Sequence, residues 1–374
     1  MTAPLRIKWE RIGTFGKMKK HLSGFACVSF FITAISVLIY LLAIRFAQVA
    51  DLINSTVSVA VRFILSSLTY PLPFSFLELL IIISPIILIV LIRLLIGRGD
   101  MIKSILSVLA IIGIIVTAYI YTLGVGYRTT RLAERTGIDA SPDITVEELT
   151  CALSAVLDGI GRELSNVAFS DGETRMSYSM DEMSKKLVRA YDLMNEDYSL
   201  LTNYGSRVKA VRYSTVMSDL GIGGIYSFFT GEANVNVEYP DYSLPFTSAH
   251  EMAHQRGISR EDEASFVAFL VCISSDDAYI RYSGYLNMFE YLASAIYKVS
   301  PELYYEAVDM LPSEALSDIR ASDAVYIKHM DSPLGKLNNR LNDAYLKANG
   351  TEGVISYNYV VRLAVGYYQK QNNG

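Results

Sequence analysis

Two of the chain's four histidines, His250 and His254, stand four apart in HEMAHQRG, with Glu251 between them. On a helix, residues four apart project from one face, one turn along, so both imidazoles can reach a single ion with Glu251 beside them. This is the HExxH arrangement. Two imidazoles hold zinc, and the glutamate takes a proton from a water activated by the metal and later passes it to the leaving amine. So short a pattern also arises by chance, and its weight depends on its surroundings.

A catalytic zinc site needs a third protein ligand and an open fourth position. Gly257, three residues after His254, is where the helix must stop and the chain turn. SREDEASFVAFLVC follows, in which Ser259 and Asp262 have the spacing of a capping box opening a second helix. Glu261 and Glu263 compete for the ligand role. Glu261 shares a helix face with Ala264, Ser265, Ala268 and Cys272, small residues that let two helices approach closely. Glu263 shares the bulkier face of Phe266, Val267 and Leu270. Close packing favours Glu261 as ligand. Glu263 would then be a carboxylate orienting a ligating histidine, and Asp262 a cap or an outer partner.

Just upstream, TGEANVN reads as an extended segment in which Glu232, Asn234 and Asn236 alternate onto one face. At an edge it could hold a substrate backbone as an added strand; otherwise it is a polar-faced strand or a hairpin turn. A donor to a developing oxyanion could come from Tyr282, Tyr285, Arg281 or His329. Each has an ordinary structural role as its alternative, since 26 tyrosines are present.

These residues must be held by the rest of the chain, which is unevenly apolar. Its hydrophobic content is 51%, its charged content 19% and its mean hydropathy +0.29, too apolar for an ordinary soluble protein. The excess lies before about residue 127. Three stretches, residues 22–46, 74–97 and 104–127, are long enough to cross a bilayer as helices, the second with Pro85 inside it. The first has too long an apolar core for a cleaved signal peptide and is expected to be a permanent anchor. Between the first two spans, residues 51–80 are amphipathic, suited to lying on the membrane surface or packing on the spans. Arg6, Lys8, Arg11, Lys17, Lys19 and Lys20 precede the first span, and Arg98 and Lys103 separate the second from the third. That distribution predicts a multi-pass cell-membrane protein with a cytoplasmic N-terminus and everything after residue 127 on the outer side.

Residues 128–374 suffice for one domain with its own core. DITVEELTCALSAVLDGIGREL predicts a helix capped by Thr145 with Glu148, and SMDEMSKKLVRAYDLMNEDY predicts another. RVKAVRYSTVM and IYSFFTGEANVNVEY read as strands. After Pro245 the pattern is helical, so the expected class is α+β, mostly helical. The net charge of −5 and the lack of a basic stripe beyond the N-terminus argue against a nucleic-acid partner. Cys27, Cys151 and Cys272 form no cluster, and only folding could bring Cys151 and Cys272 together to pair.

HExxH followed by Glu261, Ala264, Ser265 and Ala268 resembles zinc peptidases whose third ligand is a glutamate on a second helix, the gluzincin pattern. Ser265 stands where many such families carry Asp or Asn. FFTGEANVN, LPFTSAHEMAHQRGISREDEASFVAFL, YIRYSGYLN and YLKANGTEGVISYNYVVRL together resemble the bacterial membrane proteins of domain-of-unknown-function family 3810. The resemblance implies three transmembrane helices followed by a zincin-like metallopeptidase domain and names no substrate. The expected function is zinc-dependent peptide hydrolysis on the outer side of the membrane. His250, His254 and Glu261 would be ligands, Glu251 the base, and the substrate a peptide or protein, such as an envelope or membrane protein. The alternative is a non-catalytic membrane-bound sensor or assembly factor with a structural zinc, against which Glu251 speaks, because a structural site needs no base.

Overall fold

The computed structural model describes residues 23–97, 101–170, 172–351 and 358–373. The basic residues of the N-terminal tail and Arg98, on which the expected orientation rests, lie outside them. Helices dominate, with two small sheets.

The apolar third begins with α1 (Gly24–Arg45), capped by the Ser23 side chain, and Phe46 in an extended conformation breaks it. The next stretch, expected to be an amphipathic loop, is two helices, α2 (Ala47–Ser55) and α3 (Val57–Thr69), interrupted at Thr56. α4 (Phe76–Gly97) contains Pro85, and α5 (Met101–Tyr119) continues through a π-helical turn, Ile120–Gly124. Four segments are long and apolar enough to cross a membrane: Gly24–Arg45, Ala47–Thr69, Phe76–Arg93 and Met101–Gly124. The expected count was three.

Ala47–Thr69 differs from the others in what it buries. Asn54, Ser58, Arg62, Ser66 and Thr69 face inward, while Leu52, Ile64 and Leu68 are exposed. α1 and α5 run parallel. Ser29 Oγ donates to the Ala110 carbonyl at 2.6 Å, Thr33 meets Thr117 at 3.4 Å and Ser36 meets Tyr121 at 3.5 Å, so the contacts advance together along both helices. The start of α4 bonds Glu232 and the end of α5 bonds Ser259, both beyond the apolar helices, so α4 runs back along α5.

Beyond the apolar helices come α6 (Leu132–Thr136) and α7 (Val146–Leu164), the latter opened by the Thr145–Glu148 capping box. A hairpin of β1 (Ala168–Ser170) and β2 (Glu173–Arg175), absent from the sequence reading, precedes α8 (Met180–Tyr198). A three-stranded sheet follows, built from β3 (Lys209–Val211), β4 (Gly224–Ser227) and β5 (Glu232–Asn236) in the order β3-β5-β4. Residues 214–217, read as strand, are instead in α9 (Ser214–Asp219).

The remaining helices are α10 (Ser243–Gln255), α11 (Glu261–Ile273), α12 (Ala278–Val299), α13 (Pro301–Asp309), α14 (Ser313–His329), α15 (Pro333–Ala348) and α16 (Asn358–Asn373). α10 and α11 are the centre of the core. α11 is buried from Asp262 through Cys272, and α10 packs on β4, β5, α11 and α12. Fully burying each large apolar side chain contributes about 1.5–3 kcal/mol, so Phe266, Val267, Phe269 and Leu270, at 0–1% exposure, fix α11 firmly. The three cysteines are unpaired, Cys151 exposed and Cys272 buried.

Candidate metal centre

α10 ends at Gln255, and Gly257, at φ +100°, makes the turn into α11. A Cβ there would come within 2.5 Å of Arg62 Nη2. Glycine therefore serves both the left-handed backbone and the close approach of α3. The expected Ser259–Asp262 capping box does not form. Arg260 occupies the cap position without a side-chain bond, and the Ser259 hydroxyl donates to the Leu123 carbonyl at the end of α5. The need that prevails is attachment of the turn to α5, reinforced by Arg260 donating to the Tyr127 and Thr129 carbonyls.

The turn brings Glu261 to both imidazoles. Glu261 Oε2 lies 3.1 Å from His250 Nε2 and 3.4 Å from His254 Nε2, and the two Nε2 atoms are 3.1 Å apart. Four-coordinate zinc with bonds of about 2.0–2.1 Å needs ligand spacings of about 3.3 Å, so the trio fits such an ion. Among the described residues it is the one group of three or more His, Cys, Asp and Glu that could hold a metal.

Glu263 is turned the other way, paired with Arg260 and Arg131 and accepting from the Leu132 N–H. It does not orient a histidine; it ties α11 to α6. Asp262 is buried beside Arg131.

Both imidazoles are oriented through Nδ1. His254 Nδ1 lies 2.7 Å from the Ile258 carbonyl, and a proton there leaves Nε2 free as a ligand atom. His250 Nδ1 is 3.2 Å from Ser265 Oγ, itself 3.2 Å from the Tyr291 hydroxyl. Ser265, relayed by Tyr291, thus fills the position where Asp or Asn stands in the families the motif resembles. Burial disfavours charge on His254, yet Glu261 and Glu251 hold its pKa up at about 9. Against its own burial, the imidazoles hold Glu261 well below the usual carboxylate range. The trio attracts positive charge, which a divalent cation would supply more fully than a proton.

Glu251 is 5% exposed and lies against β4. A Cβ on Gly224 would come within 2.6 Å of Glu251 Oε1, so glycine admits the carboxylate to the strand. Burial raises the Glu251 pKa, opposed by His250 and His254, with the Tyr226 backbone N–H also favouring the charged form.

The three residues expected to contact substrate lie elsewhere. β5 is the central strand, and Glu232, Asn234 and Asn236 are at most 1% exposed. Glu232 accepts from the Phe76 and Leu77 N–H groups at the start of α4. Asn234 and Asn236 donate to backbone and side-chain groups around β4 and α9. The edge strands are β3 and β4, and β4 is the one that borders the cleft. Gly223 bonds towards β5 through its carbonyl, so Gly224 and Tyr226 turn their backbone groups outward.

Nor do the four candidate oxyanion donors line the cleft over the trio. Tyr282 bonds Asp318, Arg281 bonds Glu163, Tyr285 meets Arg162, and His329 bridges Asp219 and Glu238. The cleft, of about 740 Å³, is lined instead by Tyr127, Tyr291 and Tyr345. Burial and the charge of Glu261 hold Tyr127 and Tyr345 in the neutral form. Their arrival from the short helical turn after α5 (Gly126–Arg128), from α12 and from α15 left no local signal in the sequence.

Residues 53–365 match the family described as Protein of unknown function (DUF3810). The chain belongs to that family. The matched stretch runs from the end of α2 to α16, so it contains α3, α4 and α5 as well as the candidate metal centre. No curated protein and no solved structure matches the chain.

Proposed function

We propose that the DUF3810 chain is a membrane-anchored zinc-dependent peptidase. The observation that carries this reading is the convergence, in one cleft, of a buried carboxylate, three side chains that could hold a metal ion and an edge strand. His250, His254 and Glu261 would hold the ion. Bound there, zinc would act as a Lewis acid and make water acidic enough to be deprotonated near neutral pH. Glu251, its pKa raised by burial, accepts that proton and hands it to the departing amine. The outward N–H and carbonyl of Gly224 and the outward Tyr226 carbonyl pair with an extended substrate, the Tyr226 N–H being directed at Glu251. The neutral phenol of Tyr345 is placed to donate to developing negative charge.

The parallel packing of α1 and α5 supports three crossings, by α1, α4 and α5. An additional crossing by α2–α3 would set α5 against α1, so α2–α3 stays on the side that carries the metal centre. The basic residues of the N-terminal tail support a cytoplasmic N-terminus and an extracytoplasmic site.

The test is metal content and hydrolysis of the purified full-length chain beside its Glu251→Gln variant. About one zinc per chain is expected in both, with cleavage of a quenched-fluorescent peptide library falling about 10²–10⁴-fold in the variant. A folded chain that takes up no zinc would sink the proposal.

A further inference from the structure

The cleft over the metal centre is poor in charge. Apart from tyrosines, the only ionisable side chains lining it among the described residues are the two histidines, Glu251 and Glu261. Its remaining polar groups include four asparagine amides, and its apolar walls are Leu123, Ile225, Phe228 and Leu341. Ile225 and Leu341 are 39% and 61% exposed, ready for a partner. Beyond the histidines, Glu251 and Glu261, which face the candidate metal position, the described lining holds no charged partner for a charged substrate residue, and burying such a residue unpaired is costly.

One end of this cleft is the end of α5. Tyr119, Leu123 and Tyr127 line it, and Ile114, Ile115 and Val116, just before them, are exposed apolar residues of a membrane-length helix. Val116 and Tyr119 are separated by about 4.5 Å of helix rise. Phe228, at the β4–β5 turn, packs edge-on against Tyr119 at 5.7 Å, with Phe229 exposed beside it. Aromatic residues gather at this level of a membrane–water boundary. A chain leaving the bilayer alongside α5 enters the cleft after a few residues, and it meets an uncharged lining.

We propose that the substrate is a membrane-anchored polypeptide, cut in an uncharged stretch within the first few residues outside its transmembrane segment. This rests on the peptidase reading and adds the substrate class. The edge of β4 holds the backbone, and the Ile225 and Leu341 walls take apolar side chains.

The test uses the zinc-loaded full-length chain in phosphatidylcholine vesicles with single-span leucine–alanine peptides. Each peptide carries a quenched-fluorescent Ala-Phe-Leu-Ser segment. In one the segment directly follows the span, in a second it sits beyond a 20-residue Gly-Ser spacer, and in a third Lys and Asp replace Phe and Leu. A fourth peptide is the segment alone in solution. The first should be cut at least 10-fold faster than the second, although both are equally concentrated at the membrane, and at least 10-fold faster than the third. Leu341→Asp, a change at an exposed position, should raise KM for the first about 10-fold with kcat kept, and improve cutting of the third. Equal or faster cutting of the spaced peptide would overturn the substrate class and leave the peptidase reading standing. Silence with all four peptides, with zinc bound, would remove the peptidase reading itself.

Discussion

At the residue scale, the candidate metal centre depends on small differences in where carboxylates point. Glu261 and Glu263 are two positions apart on α11, about 200° around the helix. One therefore reaches the imidazoles while the other is buried with Arg260 and Arg131. Ser265 is the least expected participant, a hydroxyl doing the orienting that carboxylates more often do. Ser265→Ala should leave His250 free to rotate and weaken zinc binding about 10–100-fold, measured by chelator competition; unchanged affinity would show that Tyr291 and packing suffice. His329 makes a different kind of statement. Side-chain bonds to Asp219 and Glu238 raise its pKa, so the stability it contributes is full below about pH 6.5 and is lost as pH rises through its higher folded value. Thermal unfolding of the native chain and His329→Ala should differ most near pH 5–6, with the gap closing towards pH 9.

At the element scale, the apolar helices and the sheet hold each other by their ends. Glu232, on β5, accepts the first free N–H groups of α4, where a carboxylate also complements the helix dipole. Lys209, on neighbouring β3, donates to the carbonyls of Thr69 and Leu72 at the end of α3. Burial drops the Lys209 pKa to about 8, with Glu232 working the other way. In return, Glu78 of α4 accepts the Arg212 and Tyr213 N–H groups at the start of α9. Glu232→Ala should destabilise the chain by about 1–3 kcal/mol, read as a lowered unfolding temperature in detergent, with zinc content unchanged. A substrate-contact role would instead raise KM without loss of stability.

At the scale of the whole molecule, the division of the chain at residue 127 is crossed by bonds that hold the candidate metal centre together. Asn54 Nδ2 donates to the Gly257 carbonyl, Gln255 donates to Ser66 Oγ, and Ser259 donates to the Leu123 carbonyl. Arg62, 1% exposed, packs against Gly257 and is held by Asn54. A chain cut to residues 128–374 would expose these groups unpaired. It should bind zinc at least 10-fold more weakly than the full chain, as measured by competition; equal affinity would mean that the centre forms without the apolar helices.

The sequence by itself determined what periodicity and local chemistry encode. The 3.6-residue repeat set His250, Glu251 and His254 on one face, the glycine at 257 marked the turn, small residues marked the close face of α11, and long uncharged runs marked α1, α4 and α5. Tertiary structure decided what depends on neighbours distant in sequence. It made β5 the central strand and β4 the edge at the cleft, because strand order is set by pairing across the fold. It turned the amphipathic stretch after α1 into a buried brace for the α10–α11 turn, since Asn54 bonds the Gly257 carbonyl and Arg62, held by Asn54 and the Tyr121 carbonyl, packs against Gly257. It drew the cleft tyrosines from three helices, none of which carries a local mark of that role.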